Sequence, residues 1–110
     1  MTFQRVCALS ELPTVGAIRV VLDDMDAPLA VVRDDEGTVH AIEDECSHGS
    51  VALSEGEVDG NCIECWLHGA RFDLRTGAPL TPPATAAILV YPVHIDGDDV
   101  LVDIPATPHA

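Results

Sequence analysis

Four residues of this chain have the types and spacing to hold metal together. Cys46-Ser47-His48 is followed, after sixteen further residues, by Cys65-Trp66-Leu67-His68-Gly69. Two irons bridged by two sulfides need four protein ligands, and each of these short motifs supplies one thiolate and one imidazole. If thiolates take one iron and imidazoles the other, the one-residue spacer of the first pair lets its ligands diverge to different metals. Gly49 and Gly69 directly follow the two His residues. That is where a tight loop must bring backbone N–H groups close to sulfide.

Two other chemistries compete for the same residues. Cys62-Ile63-Glu64-Cys65 is a C-x2-C pair, and with Cys46, His48 or His68 it would make a tetrahedral zinc site. Such a site leaves one of the five candidates idle. The iron–sulfur reading uses Cys46, His48, Cys65 and His68, and leaves Cys62 as a small buried strand residue. A nucleophilic Cys/His enzyme would need an oxyanion site on rigid elements, and nothing in the sequence supplies one. His40 and His94 lie in expected strands and His109 in the tail, and each is read as a surface residue without a role. Four Cys in a chain with no visible signal peptide favour metal over disulfide.

The elements that position these residues read as all-β. At 110 residues the chain is a single domain with a modest core, and its 4% aromatic content means that Val, Ile, Leu and Ala must build that core. Strands are expected at 3–7, 17–22, 29–33 and 38–43, the last two joined by the turn Asp34-Asp35-Glu36-Gly37. The first 43 residues therefore read as an antiparallel meander. Residues 54–60 are turn-rich, 61–64 and 71–73 are short strands, and Pro79, Pro82 and Pro83 stiffen a loop that cannot join a central sheet. A strand over 88–95, with Pro92 marking an edge or bulge, and a final strand over 100–104 flank the turn Asp96-Gly97. No long helical period, repeat or linker interrupts this pattern.

Charge narrows the partners. Nineteen acidic residues stand against five Arg and no Lys, a net charge of -14. That repels nucleic acid and anionic membrane surfaces, and favours solubility and basic partner faces. The N-terminus has no long apolar stretch, and the longest apolar run, Ala86 to Val93, contains Pro92 and is far short of the ~20 residues a membrane helix needs. A soluble, cytoplasmic protein is expected.

The metal motif resembles the Rieske iron–sulfur signature, in which two His replace two Cys on one iron of a 2Fe-2S cluster. The similarity to Rieske-type ferredoxins runs over nearly the whole chain. It takes in Gly69-Ala70-Arg71-Phe72-Asp73, Thr76-Gly77, the Pro79–Pro83 stretch and the closing strands from Val90 to Ile104. The resemblance implies a Rieske fold of antiparallel sheets carrying a loop-rich cluster-binding subdomain. Residues 1–44 and 84–110 would be the β base and 45–83 the subdomain. Cys46 and Cys65 would hold the inner iron, His48 and His68 the outer one, and 79–83 would form a third loop over the cluster. Trp66, Leu67, Leu53 and Pro82 would make an apolar rim.

Departures from the family pattern carry information too. Rieske proteins of the cytochrome complexes bridge their ligand loops with a disulfide, where this chain has Val51 and Leu67. They also place Ser and Tyr hydroxyls on the cluster sulfurs, where this chain has Ala70 and Phe72. Losing such donors lowers the potential, which is expected near the low end of the Rieske range, about -150 mV. The resemblance thus implies a soluble, monomeric one-electron carrier that is not catalytic alone. It would take electrons from an NAD(P)H-dependent flavin reductase and pass them to a terminal non-haem-iron oxygenase. The alternative clients are a nitrite reductase or iron–sulfur assembly. A Rieske oxygenase is disfavoured, because only His94 and His109 follow residue 68 to build a mononuclear iron site.

Overall fold

The computed structural model describes residues 2–22, 28–44, 52–66, 69–80 and 87–104. Their strands are β1 (Thr2–Ala8), β2 (Gly16–Val20), β3 (Leu29–Arg33), β4 (Val39–Glu43), β5 (Glu57–Asp59), β6 (Cys62–Glu64), β7 (Arg71–Asp73), β8 (Val90–Tyr91), β9 (Val93–Asp96) and β10 (Asp99–Ile104). All pairing is antiparallel, in three sheets: β1-β10-β9, β2-β3-β4-β8 and β5-β6-β7. The all-β expectation holds.

The four-stranded sheet is the middle layer. Leu29, Ala30, Val31 and Val32 of β3 are all fully buried, as expected of a strand covered on both faces. Side chains alternate across a strand, so one face of β3 and β4 carries Leu29, Val31 and Ala41. These pack against Cys7, Val100 and Val102 of the β1-β10-β9 sheet. The other face carries Ala30, Val32 and Ile42, packed on Leu53, Ile63, Cys65, Ala70, Phe72, Leu74 and Ile88. Small and branched side chains thus build the core, and one fully buried aromatic, Phe72, contributes the largest volume.

The meander expected over the first 43 residues is only partly formed. β1 does not pair with β2 but with β10, 94 residues away at the Arg5–Asp99 ion pair. Alternation within β1 is compatible with either partner, so the sequence could not decide between them. The register of this pairing shifts between Arg5 and Cys7, leaving Val6 as a bulge. The strand expected over 88–95 is two strands. Pro92 ends β8, which pairs with β4, and β9 leaves to join β10. Residues 57–59, read as turn, form β5.

His40 departs furthest from its sequence reading. It is 8% exposed, and its Nε2 lies 2.8 Å from Oδ2 of Asp34, itself 1% exposed. The other Asp34 oxygen accepts the Glu36 and Thr38 N–H groups, each at 2.9 Å, closing the β3–β4 turn. Alternation puts His40 on the same inward face as Ile42, which hides its ring. Burial pushes the Asp34 carboxyl upward, but the His40 bond and the two backbone N–H donors outweigh it and hold the group below the ordinary carboxylate range. A depressed carboxyl stabilises the fold above its unfolded value, near 3.9, and that contribution is lost as pH falls through the folded value. Urea midpoints measured across the acid range should therefore fall less steeply below about pH 4 in Asp34→Asn than in the wild type. Parallel acid limbs would refute this role.

Candidate metal centre

Cys65 follows the last residue of β6 and is fully buried. Its N–H donates to the Ala70 carbonyl at 2.7 Å, and its carbonyl accepts the Gly69 N–H at 2.9 Å. Gly69 has a φ of +72°, a left-handed conformation that L side chains rarely adopt. These bonds close the β6–β7 connection into a tight loop, so a glycine after His68 has a backbone reason. Trp66, next to the buried thiol, is 54% exposed. The loop therefore turns a sulfur inward and an aromatic ring outward within two residues.

Phe72 is the floor beneath this loop. It pairs with Ile63 on β6 and packs with Cys65, Ala70 and Leu53 in one buried group. On its other side Phe72 bridges to Pro79, and the Leu80 N–H donates to the Arg71 carbonyl at 2.7 Å. Pro79 thus lies along the edge of β7, where proline's missing donor does no harm. Gly77 positions it. A Cβ there would sit 2.1 Å from the Ile88 carbonyl oxygen, so only glycine fits the approach.

The opposite face of the β5-β6-β7 sheet carries ionic and polar contacts. The Arg71 guanidinium reaches Glu64 at 3.0 Å and Asp59 at 3.3 Å. The Cys62 thiol donates to the Asp59 carbonyl at 2.9 Å and is half-buried rather than buried as expected. Ile63 and Cys65 face the core, and alternation sends Cys62 and Glu64 the other way. The C-x2-C pair is therefore split across a sheet, which removes the geometric basis of a zinc site using both thiols. Cys7, on β1 and buried with Leu12, Val31 and Val100, has its thiol pushed up by burial and by Glu11, as a packed structural thiol should. His94 is exposed, with its ring edge-on to Phe3 at 6.1 Å.

Of the four expected ligands, Cys65 is described; Cys46, His48 and His68 lie outside the described residues. So do Leu67 and Pro82 of the expected rim, and His109. Trp66 is exposed as a rim residue should be. Leu53 is not: it is fully buried in the core group around Phe72. Its 3-10 turn, Leu53–Glu55, directs the side chain inward, an orientation that a turn-rich sequence does not reveal. Two residues without any motif bracket the first motif: Asp44, at the end of β4, hydrogen-bonds Ser54.

A profile of the Rieske [2Fe-2S] domain matches residues 2–92. The chain belongs to the Rieske family. A Rieske domain carries a [2Fe-2S] cluster, and the donor chemistry here fits it: Cys65 is a free buried thiol on a tightly bonded loop. The biphenyl dioxygenase ferredoxin subunit of Pseudomonas sp. (strain KKS102) is 40% identical over 104 residues, covering 94% of this chain and 93% of that protein. The solved Sphingomonas yanoikuyae B1 ferredoxin is 35% identical, with a TM-score of 0.87 over 94% of this chain and all of that one. The ferredoxin fold in a complex of reduced oxygenase and oxidized ferredoxin in carbazole 1,9a-dioxygenase superposes with a TM-score of 0.82 at 39% identity, covering 91% of each chain. The Rieske fold and cofactor implied by the sequence are thereby established. Among the described residues no helix is long and apolar enough to cross a membrane.

Proposed function

We propose that this chain is the ferredoxin component of a ring-hydroxylating dioxygenase system. It takes one electron at a time from an NAD(P)H-dependent flavin reductase and delivers it to a terminal non-haem-iron oxygenase, without catalysing a reaction alone. The observation that carries this reading is the 40% identity to a dioxygenase ferredoxin subunit over 93% of that subunit's length. Cys46 and Cys65 bind the inner iron, His48 and His68 the outer one, and residues 45–83 form the cluster-binding subdomain on a base of 1–44 and 84–110.

The cluster supplies a one-electron couple. The chain's own residues set how it is used. Buried Cys65, Ala70 and Phe72 keep water from the inner side, which tunes the potential, while Trp66 offers an apolar contact at the surface. A carrier must release its partner quickly, so a small rim suits it. Each Arg already meets an acceptor: Arg5 on Asp99, Arg19 near Asp44, Arg33 on the Leu9 carbonyl, Arg71 on Glu64 and Arg75 near Asp73. Five Arg against nineteen acidic residues leave a large negative excess, which steers the protein toward basic docking faces.

The test is an EPR spectrum of the dithionite-reduced protein with a redox titration of the same sample. A Rieske-type signal and a potential near -150 mV are expected. A colourless protein containing one zinc would overturn the ligand assignment. A Rieske signal at a potential above zero would keep the cluster and overturn the donor role.

A further inference from the structure

We propose that Asp44 and Ser54 are positioning residues for the cluster: they clamp together the two ends of the loop that carries Cys46 and His48. The inference deepens the reading above and rests on those two residues being ligands. The Asp44 side chain has no solvent exposure. One of its oxygens accepts the Ser54 N–H at 2.7 Å and the other the Ser54 hydroxyl at 2.6 Å. Both bonds are short and charge-assisted, and both go to one residue ten positions away. A buried carboxylate is costly unless it is well bonded; this one has both oxygens hydrogen-bonded to the far end of a ligand loop, with the half-exposed Arg19 guanidinium 3.9 Å from the oxygen that takes the Ser54 hydroxyl.

Each end of the clamp is itself anchored. At the entrance, the Asp44 N–H donates to the Pro28 carbonyl at 3.0 Å and the Glu43 N–H to the Leu89 carbonyl at 3.0 Å. At the exit, Leu53 is packed in the same buried group as Cys65. Gly56, whose N–H bonds the Leu53 carbonyl, lies so close to β6 that a Cβ would stand 1.9 Å from the Glu64 carbonyl oxygen. Glu64 immediately precedes Cys65. The exit of the first ligand loop is thus seated on the stem of the second. Ser54 then ties that shared seat back to the middle sheet through Asp44. Four ligands drawn from two loops must meet one rigid cofactor, and this clamp fixes how far the first loop's ends can separate.

The experiment compares Ser54→Ala and Ser54→Thr in the full cluster-loaded protein. Ser54→Ala leaves one buried Asp44 oxygen without its hydroxyl donor, and Ser54→Thr keeps that donor. Cluster loss to an iron chelator, well below the melting temperature, should be about tenfold faster or more in Ser54→Ala and within about twofold of wild type in Ser54→Thr. The EPR lines of Ser54→Ala should broaden as ligand geometries become heterogeneous. Asp34→Asn, a buried carboxylate change elsewhere, serves as the control for general destabilisation and should leave cluster loss unchanged. Wild-type release and unbroadened lines in Ser54→Ala would overturn the proposal, as would a Ser54→Thr protein as leaky as Ser54→Ala. The underlying reading fails separately: a Cys46→Ser protein that keeps an unaltered Rieske signal would remove the loop's ligand role whatever Ser54 does.

Discussion

Phe72→Tyr is expected to raise the midpoint potential of the cluster by roughly 65–130 mV, and Ala70→Ser by a similar amount. The Rieske proteins of the cytochrome complexes, from whose pattern this chain departs at these two positions, place hydroxyls there that donate to cluster sulfur. Reduction adds negative charge to the sulfurs, so a donor favours the reduced form. A hydrogen bond to a charged group is worth roughly 1.5–3 kcal/mol, which for one electron gives the stated shift. Here both positions are fully buried and packed with Cys65, so water cannot stand in for the missing hydroxyls. Ala70→Ser adds a single oxygen. Phe72→Tyr adds its oxygen at the rim of a close-packed ring, and the hydroxyl must find an acceptor or cost stability. If the two donors reach different sulfurs, the double variant should shift by about the sum of the single shifts. Redox titration followed optically, with EPR to show an intact cluster, reads the effect. Unchanged potentials in both variants, with intact clusters, would mean that these two positions do not set the potential.

The same residues show how far a sequence can be read. Leu29–Arg33 and Arg71–Asp73 form strands at the boundaries their residues suggested, because β-branched or alternating runs bounded by turn residues specify strands locally. The pairing of β1 with β10 is not local. It depends on which partner covers the buried face of the middle sheet, and alternation in β1 is satisfied either way. His40 looked like a lone surface residue because its partner Asp34 was absorbed into a turn signal; both roles belong to one carboxylate, with one oxygen on the turn and one on the ring. The metal motif was legible because Cys and His at short spacing are rare outside metal sites. Asp44 and Ser54 were not, because an acid and a serine in turn-rich sequence are ordinary. Leu53 reads as a rim residue because it neighbours the motif, and sequence distance says nothing about which way a 3-10 turn aims a side chain.

The largest contrast is expected between two thiols three residues apart. Cys65→Ala should abolish cluster binding and Cys62→Ala should leave it intact. On β6, alternation sends Cys62 to the face with Glu64 and Arg71, where its thiol bonds the Asp59 carbonyl, while Cys65 joins the core beside Phe72. Removing the Cys62 thiol gives up one weak half-exposed bond, about 1 kcal/mol or less. On the proposed ligand set, removing the Cys65 thiol takes a ligand from the site, and with it the folding free energy that cluster binding would supply to a small core. Iron and sulfide content per chain, with the visible and EPR spectra, measures both outcomes, and a thermal melt separates cluster loss from unfolding. Loss of metal in Cys62→Ala would return the C-x2-C zinc reading and require β6 to twist both thiols to one side. Retention of a Rieske signal in Cys65→Ala would move the fourth ligand elsewhere and undo the assignment of the second loop.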